Sequence, residues 1–168
     1  MNALNQIEAL ETPSDLEEKG REKVTESLNR LVADAFALYI KTKNYHWHMS
    51  GRHFRDYHLL LDDQAAQILA TIDPLAERVR KIGGNTIRSV GHVAQLQRVK
   101  DNDDDFVGPK DMLLDLVNEN KKMAKNMREA HKVADDAEDV ATASLLENYI
   151  DETEQRTWFL FETTRDLN

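Results

Sequence analysis

Residues 45–78 read YHWHMSGRHFRDYHLLLDDQAAQILATIDPLAER, and two spacings inside this stretch decide the fold. His58 and Asp62 stand four apart, and so do Asp73 and Glu77. On an α-helix, side chains four apart share a face about 6 Å apart along the axis, so either pair can hold a metal ion. The two pairs also share a face with each other. Eleven steps of about 100° take Asp62 to Asp73, which is three turns to within about 20°. Along one helix, however, Asp62 and Asp73 are about 16 Å apart, far beyond the ~2 Å of a bond to a first-row metal. One copy of the helix therefore cannot bring both pairs to one centre. Two copies crossing antiparallel near Gln67 and Ile68 can, because His58 and Asp62 of one then face Asp73 and Glu77 of the other. Such a contact is isologous and makes two equivalent sites per dimer. If the chain also reverses at Met49-Ser50-Gly51, near Arg52, His46 comes level with His58. The expected set is His46, His58 and Asp62 from one chain with Asp73 and Glu77 from its partner.

Outward from this stretch, helical periodicity continues in both directions. Val24, Leu28, Leu31, Val32, Ala35 and Tyr39 recur at helical spacing and predict a first helix from about Glu18 to Tyr45. A second runs from about Phe54 to Lys81 and stops at Ile82-Gly83-Gly84, with Pro74 inside it expected to introduce a kink. Val90–Gln97 reads as a short connecting helix, and Asp101–Asp105 with Gly108-Pro109 as a polar loop. Two more long helices are expected over 110–134, striped by Met112, Leu113, Leu116, Val117, Met123, Met127 and Ala130, and over 138–165, striped by Leu145, Leu146, Tyr149, Ile150, Thr153, Trp158 and Phe161. Strand alternation is absent. The class is all-α: a four-helix bundle with a short helix in the connection between the second and third long helices. That long connection permits a crossover, so the helices it joins can run parallel. Residues 1–17 read as a tail, partly ordered by Leu4, Ile7 and Leu10, and 18–168 as the domain.

Composition removes several function classes. The 168 residues suffice for one domain with a core. No cysteine is present, which excludes disulfides and thiolate metal sites. The N-terminus lacks a basic region followed by a long apolar run, so no secretory signal is expected. No apolar run of about 18 residues occurs, so no membrane partner is expected. A net charge of −9 disfavours a phosphate-binding surface and favours attraction of cations. No HExxH, nucleophile elbow, phosphate loop or zinc-finger spacing is found, nor the ExxH of other di-metal bundles. Carboxylate and imidazole without sulfur suit iron, manganese or zinc.

These residues carry a family resemblance. His46-Trp47, Gly51, Phe54, His58, Asp62, then Asp73 and Glu77-Arg78, then Gly83-Gly84, resemble the motif of the Dps family, the DNA-binding proteins from starved cells. The resemblance extends to Trp158-Phe159-Leu160 and covers roughly residues 18–165. It implies a ferritin-like bundle assembled as a hollow dodecamer. It also implies a di-iron ferroxidase centre between two subunits, with His46, His58 and Asp62 from one and Asp73 and Glu77 from the other. Members oxidise iron(II), with hydrogen peroxide preferred over oxygen, and store the ferric product inside the shell. This protects DNA from radical damage and places the protein in the cytoplasm, at the nucleoid where DNA is bound. Trp47 resembles the tryptophan near the family's centre that intercepts oxidising equivalents.

The chain departs from the family at its ends. Residues 1–23 carry a net charge of −3, where many members have a lysine-rich arm, and the C-terminus Thr-Arg-Asp-Leu-Asn is not basic. Both departures argue against DNA binding. The competing expectations are a DNA-compacting shell with vestigial metal chemistry and a shell storing zinc or manganese. His48 and His53 are not assigned as ligands. Arg78 reads as a salt-bridge residue, Trp47 and Trp158 most simply as packing residues, and the three stripe methionines as core. Asp135 and Asp139 are open between a helix-start role and lining of a three-fold pore.

Overall fold

The apolar stripes become five helices in a computed structural model of the chain, which describes residues 8–165. They are α1 (Glu18–His48), α2 (Phe54–Lys81), α3 (Val90–Leu96), α4 (Pro109–Asp136) and α5 (Val140–Thr164). No strand occurs among the described residues. Leu4 and Ile7, expected to order the tail, lie outside the described residues, as do the last three of the expected domain. The first helix outruns its expected end by three residues, so His46 sits within the last turn of α1 rather than beyond it. α2 continues through Pro74.

Local chemistry sets the other boundaries. Pro109 opens α4, where its missing N–H has no helical partner to lose. Asp139 caps α5 by accepting from the Thr142 backbone N–H at 3.0 Å. At the far end of α2, Gly83 adopts φ +86, and a Cβ there would sit 2.9 Å from Arg21 Nη1. A Cβ on Gly84 would run into the side chain of Thr25 on α1. The two glycines thus both end the helix and let it press against α1.

Specific contacts define the topology. Tyr45, late in α1, meets Asp115 early in α4, and Asp34 meets Asn126, so these helices run antiparallel. Tyr57 meets Thr163, Gln64 meets Arg156, and Arg78 meets Thr142, so α2 and α5 are also antiparallel. α1 pairs with α2 through a tight reversal, and α4 pairs with α5 in the same way. The order is therefore up, down, down, up. α2 and α4 run parallel, and residues 82–108 cross the length of the bundle. α3 lies in that crossing against α1.

The core holds the expected stripes of α1 and α4, including buried Met112, Met123 and Met127. It also holds charges. Asp34 is buried and receives Arg98 Nε and Nη2 at 3.0 and 2.6 Å, with the Arg98 backbone N–H at 2.7 Å. Lys41 is buried against the Lys100 carbonyl and Asp115, both at 2.7 Å. These ties pin the long crossing to α1. Arg156 is buried in the middle of the bundle, donating to Asn120 at 3.1 Å and Thr153 at 2.7 Å. Burial pushes its guanidinium down to about 10, which leaves it charged at neutral pH.

Two expectations need correction. Trp158 and Phe161 are exposed, as is Phe159, because α5 turns that side away from the other helices of its own chain. Trp47 is likewise 60% exposed rather than packed. Asp139 is buried, and both its oxygens are engaged by Arg78 and Thr142, at 2.5 Å each. Within the chain it therefore serves as a helix-start residue.

Candidate metal centre

The reversal at 49–53 lays the end of α1 against the start of α2 and brings His46 and His58 face to face. Their rings stack with centroids 3.7 Å apart and planes 21° from parallel. Each ring bonds the other residue's main chain. His46 Nδ1 lies 2.7 Å from the His58 carbonyl, and His58 Nδ1 lies 2.9 Å from the His46 carbonyl. A carbonyl only accepts, so Nδ1 carries the hydrogen in both rings. In the neutral imidazoles both Nε2 lone pairs are then free. Anchoring one nitrogen on a carbonyl orients the other toward a metal. His46 is buried and His58 half-buried, so neither ring swings freely.

Asp62, one turn beyond His58, completes the group. Its Oδ1 is 3.9 Å from His46 Nε2. The same oxygen receives Lys43 Nζ at 2.7 Å. That hydrogen bond holds the Asp62 carboxyl below its ordinary range, helped by the charge on Lys43 and the nearby imidazoles. Lys43 also lies 5.7 Å from the Trp47 ring centroid, within cation–π range.

Asp73 and Glu77 do not join this group within the chain. They lie on the same exposed face of α2, about 16 Å farther along by helical rise. Glu77 pairs with the exposed Lys81 at 3.5 Å. Asp73 borders a cavity of ≈ 530 Å³ between α1, α2 and α3, whose walls include Val32, Phe36, Ile72, Ile87 and Val93. Among the described residues, no three His, Cys, Asp or Glu of the single chain are placed to enclose a metal. His48 is turned aside, its Nδ1 2.8 Å from the Asn44 carbonyl, and His53 is exposed at the start of α2.

Between the two groups the face is apolar and uncovered. Leu69 on α2 is exposed there, as is Ile40 on α1, and Leu59 is exposed beside His58. Along the helix axis Leu69 lies between Asp62 and Asp73, about 20° round from Asp62 and one turn short of Asp73, so an apolar side chain separates the two groups on that face. Sequence reasoning missed Lys43. Its signal was present, since Lys43 precedes His46 by three residues and so shares its side of α1. The donors offered are two imidazole nitrogens and a carboxylate, with two more carboxylates farther along the face. This is a nitrogen and oxygen set that fits iron(II).

Fold and site together define a ferritin-like protein, and a ferritin-like domain model matches residues 25–168. The chain is 33% identical to DNA protection during starvation protein 1 of Deinococcus radiodurans over 86% of its own length and 70% of that protein. It is 32% identical to the DNA protection during starvation protein of Brevibacillus brevis, over 79% of this chain and 89% of that one. Among solved structures, DpsC from Streptomyces coelicolor superposes with a TM-score of 0.89 at 30% identity, covering 94% of this chain and 92% of that one. The chain belongs to the Dps family.

Proposed function

We propose that the protein is an iron(II)-oxidising, iron-storing mini-ferritin whose ferroxidase centre is completed by a second subunit. The observation that carries this reading is the mutual anchoring of His46 and His58 beside Asp62, on a face whose remaining carboxylates lie three turns away. Two such faces crossing antiparallel near Gln67 bring His46, His58 and Asp62 of one chain to Asp73 and Glu77 of the other. The exposed Leu59 and Leu69 then become buried, which supplies an apolar driving force for the pairing.

Iron(II) is the substrate, and two iron(II) ions together give two electrons to hydrogen peroxide, or to oxygen as the slower acceptor. The protein's share is positional. The clasped imidazoles present Nε2 in one orientation, Asp62 supplies an oxygen between them and the partner, and Asp73 and Glu77 bring the charge that offsets a pair of dications. A hollow dodecamer would store the ferric product. Removal of iron(II) and peroxide together would protect DNA, consistent with the names of the relatives. No helix among the described residues is long and apolar enough to cross a membrane, and we place the protein in the cytoplasm.

One observation favours a DNA-compacting shell as a second reading. Lys121, Lys125, Arg128 and Lys132 are exposed at helical spacing along α4. Two of them are spoken for, however, as Arg128 pairs with Glu154 and Lys125 with Glu129. A gel shift at low salt separates the readings, since a compacting shell must retard DNA.

Stopped-flow absorbance tests the main proposal. Anaerobic protein loaded with iron(II) is mixed with peroxide, and in parallel with oxygen. The expected result is rapid ferric absorbance with peroxide, lost in the His58→Ala, Asp62→Ala double variant while the assembly stays intact. An unchanged rate in that variant rules out the assigned site.

A further inference from the structure

Arg156 takes no part in the scheme above, although it carries a charge into the middle of the bundle, where the residue is 2% exposed. Its partners are neutral: Nε donates to Asn120 Oδ1 at 3.1 Å and Nη2 to Thr153 Oγ1 at 2.7 Å. Nη1 is buried and has no partner among the described residues. The other buried charges are treated differently. Asp34, Lys41, Glu119 and Asp139 each meet an opposite charge at between 2.5 and 2.9 Å. Among the described residues no carboxylate pairs with Arg156, and Glu152, whose charge it feels, is exposed.

We infer that Arg156 Nη1 forms an internal binding site for one small monovalent anion of the halide class, between α4 and α5. A buried cation with neutral partners keeps its desolvation cost, which a counter-charge offsets. A water molecule would take up the Nη1 hydrogens and leave the charge unbalanced. A larger oxyanion needs several donors, and the neighbours have none to give. Asn120 Nδ2 is committed to the Leu116 carbonyl at 2.9 Å and the Thr153 hydroxyl to the Tyr149 carbonyl at 2.6 Å. A halide asks for less and tolerates the apolar side chains around it. Gln64 Oε1 also lacks a partner, but it belongs to the other side of the residue. Gln64 Nε2 donates to the Arg156 carbonyl at 3.2 Å, and a helical carbonyl points toward the C-terminus, whereas the guanidinium reaches back to Thr153.

Bromide is the probe, because it scatters anomalously and stands in for chloride. Crystals of the full-length wild-type protein are grown with sodium bromide, and the expected result is an anomalous peak within hydrogen-bonding range of Nη1. In solution, bromide is exchanged for gluconate at constant ionic strength during urea unfolding. Once bromide exceeds its Kd, each tenfold increase should raise the folded-to-unfolded ratio per chain by about tenfold. Arg156→Met, which fills much of the same space without the charge, should lose both the peak and the bromide-specific gain. Wild-type crystals without a peak at Nη1, or with only a non-anomalous water there, overturn the inference whether or not the variant folds. A peak with no bromide-specific gain in solution means binding at crystal concentration only and overturns it too. An equal gain in Arg156→Met overturns the assignment to Arg156. None of these outcomes bears on the metal centre, which is tested separately by iron(II) oxidation.

Discussion

His46 and His58 hold each other by exchange: each ring's Nδ1 binds the other residue's carbonyl, at 2.7 and 2.9 Å. The exchange serves two ends at once. It joins the last turn of α1 to the first turns of α2, and it fixes which nitrogen each ring offers. The two can be separated by substitution. Asn at position 58 can keep a donor near Nδ1 but has no atom at Nε2. His58→Asn is expected to stay within about 0.5 kcal/mol of wild type in urea unfolding, since the bond to the His46 carbonyl survives. It should nevertheless lose zinc binding. His58→Ala should lose both, costing about 1–3 kcal/mol because the carbonyl is left without its partner. Equal stability of the Ala and wild-type proteins would show that the exchange does not join the helices.

Asp34 should matter about as much as a buried leucine near it. It sits in the apolar interior of α1, yet it gathers the Arg98 guanidinium, the Arg98 backbone N–H and Asn126 Nδ2. Asp34→Ala strands those donors and is expected to cost about 2–4 kcal/mol, discounted because Arg98 is partly exposed. Hydrogen exchange should rise first in residues 97–104, where the crossing loses its anchor. Exchange rising equally in α5 would mean that the anchor is not local.

The long helices were legible because apolar recurrence and the two glycines after Ile82 are local signals, whereas the long connection permitted the parallel run of α2 and α4 without fixing it. The closeness of His58 and Asp62 was legible because a four-residue spacing survives folding unchanged on a helix, and that of His46 because Met49-Ser50-Gly51 marks a reversal. What escaped were contacts between distant elements. Nothing in the spacing of Asp34 marks it as the partner of Arg98, sixty-four residues away. Trp158 and Phe161 misled for the opposite reason. They fit an apolar stripe, but α5 has more apolar surface than its own chain covers, and sequence periodicity does not say which chain covers it.

Tyr45 should make the protein sensitive to alkali. Its hydroxyl is buried against Asp115 at 2.5 Å, with Lys41 on the far side of that carboxylate at 2.7 Å. Burial first, then the hydrogen bond to Asp115 and the charges of Asp115, Asp104 and Glu119, push the phenol well above its ordinary range. A phenol raised in the folded state contributes stability that is full below the unfolded value of about 10 and is lost as pH rises beyond it. Wild type should therefore lose up to about 1.4 kcal/mol per pH unit above ~10 through this group. Tyr45→Phe should remove that slope at a cost of about 1 kcal/mol at neutral pH, since Asp115 keeps Lys41. Matching slopes for the two proteins in urea titrations between pH 9 and 12 would exclude Tyr45 as the source.

Complementation decides whether the centre needs two chains. Take one variant with His46→Ala and His58→Ala, and a second with Asp73→Ala and Glu77→Ala. Each alone has no complete site under the proposed arrangement, and each should be inactive in peroxide-driven iron(II) oxidation. In a mixed dimer, one site carries all four changes while the other carries none, because an isologous contact builds each site from opposite ends of the two helices. Random mixing after reversible dissociation makes half the dimers mixed, so about a quarter of wild-type activity should return. A centre confined to one chain has no such route to recovery. Absence of recovery in mixtures whose hetero-association is verified by mass spectrometry would refute the two-chain centre, and full activity in the Asp73, Glu77 variant alone would do so more directly.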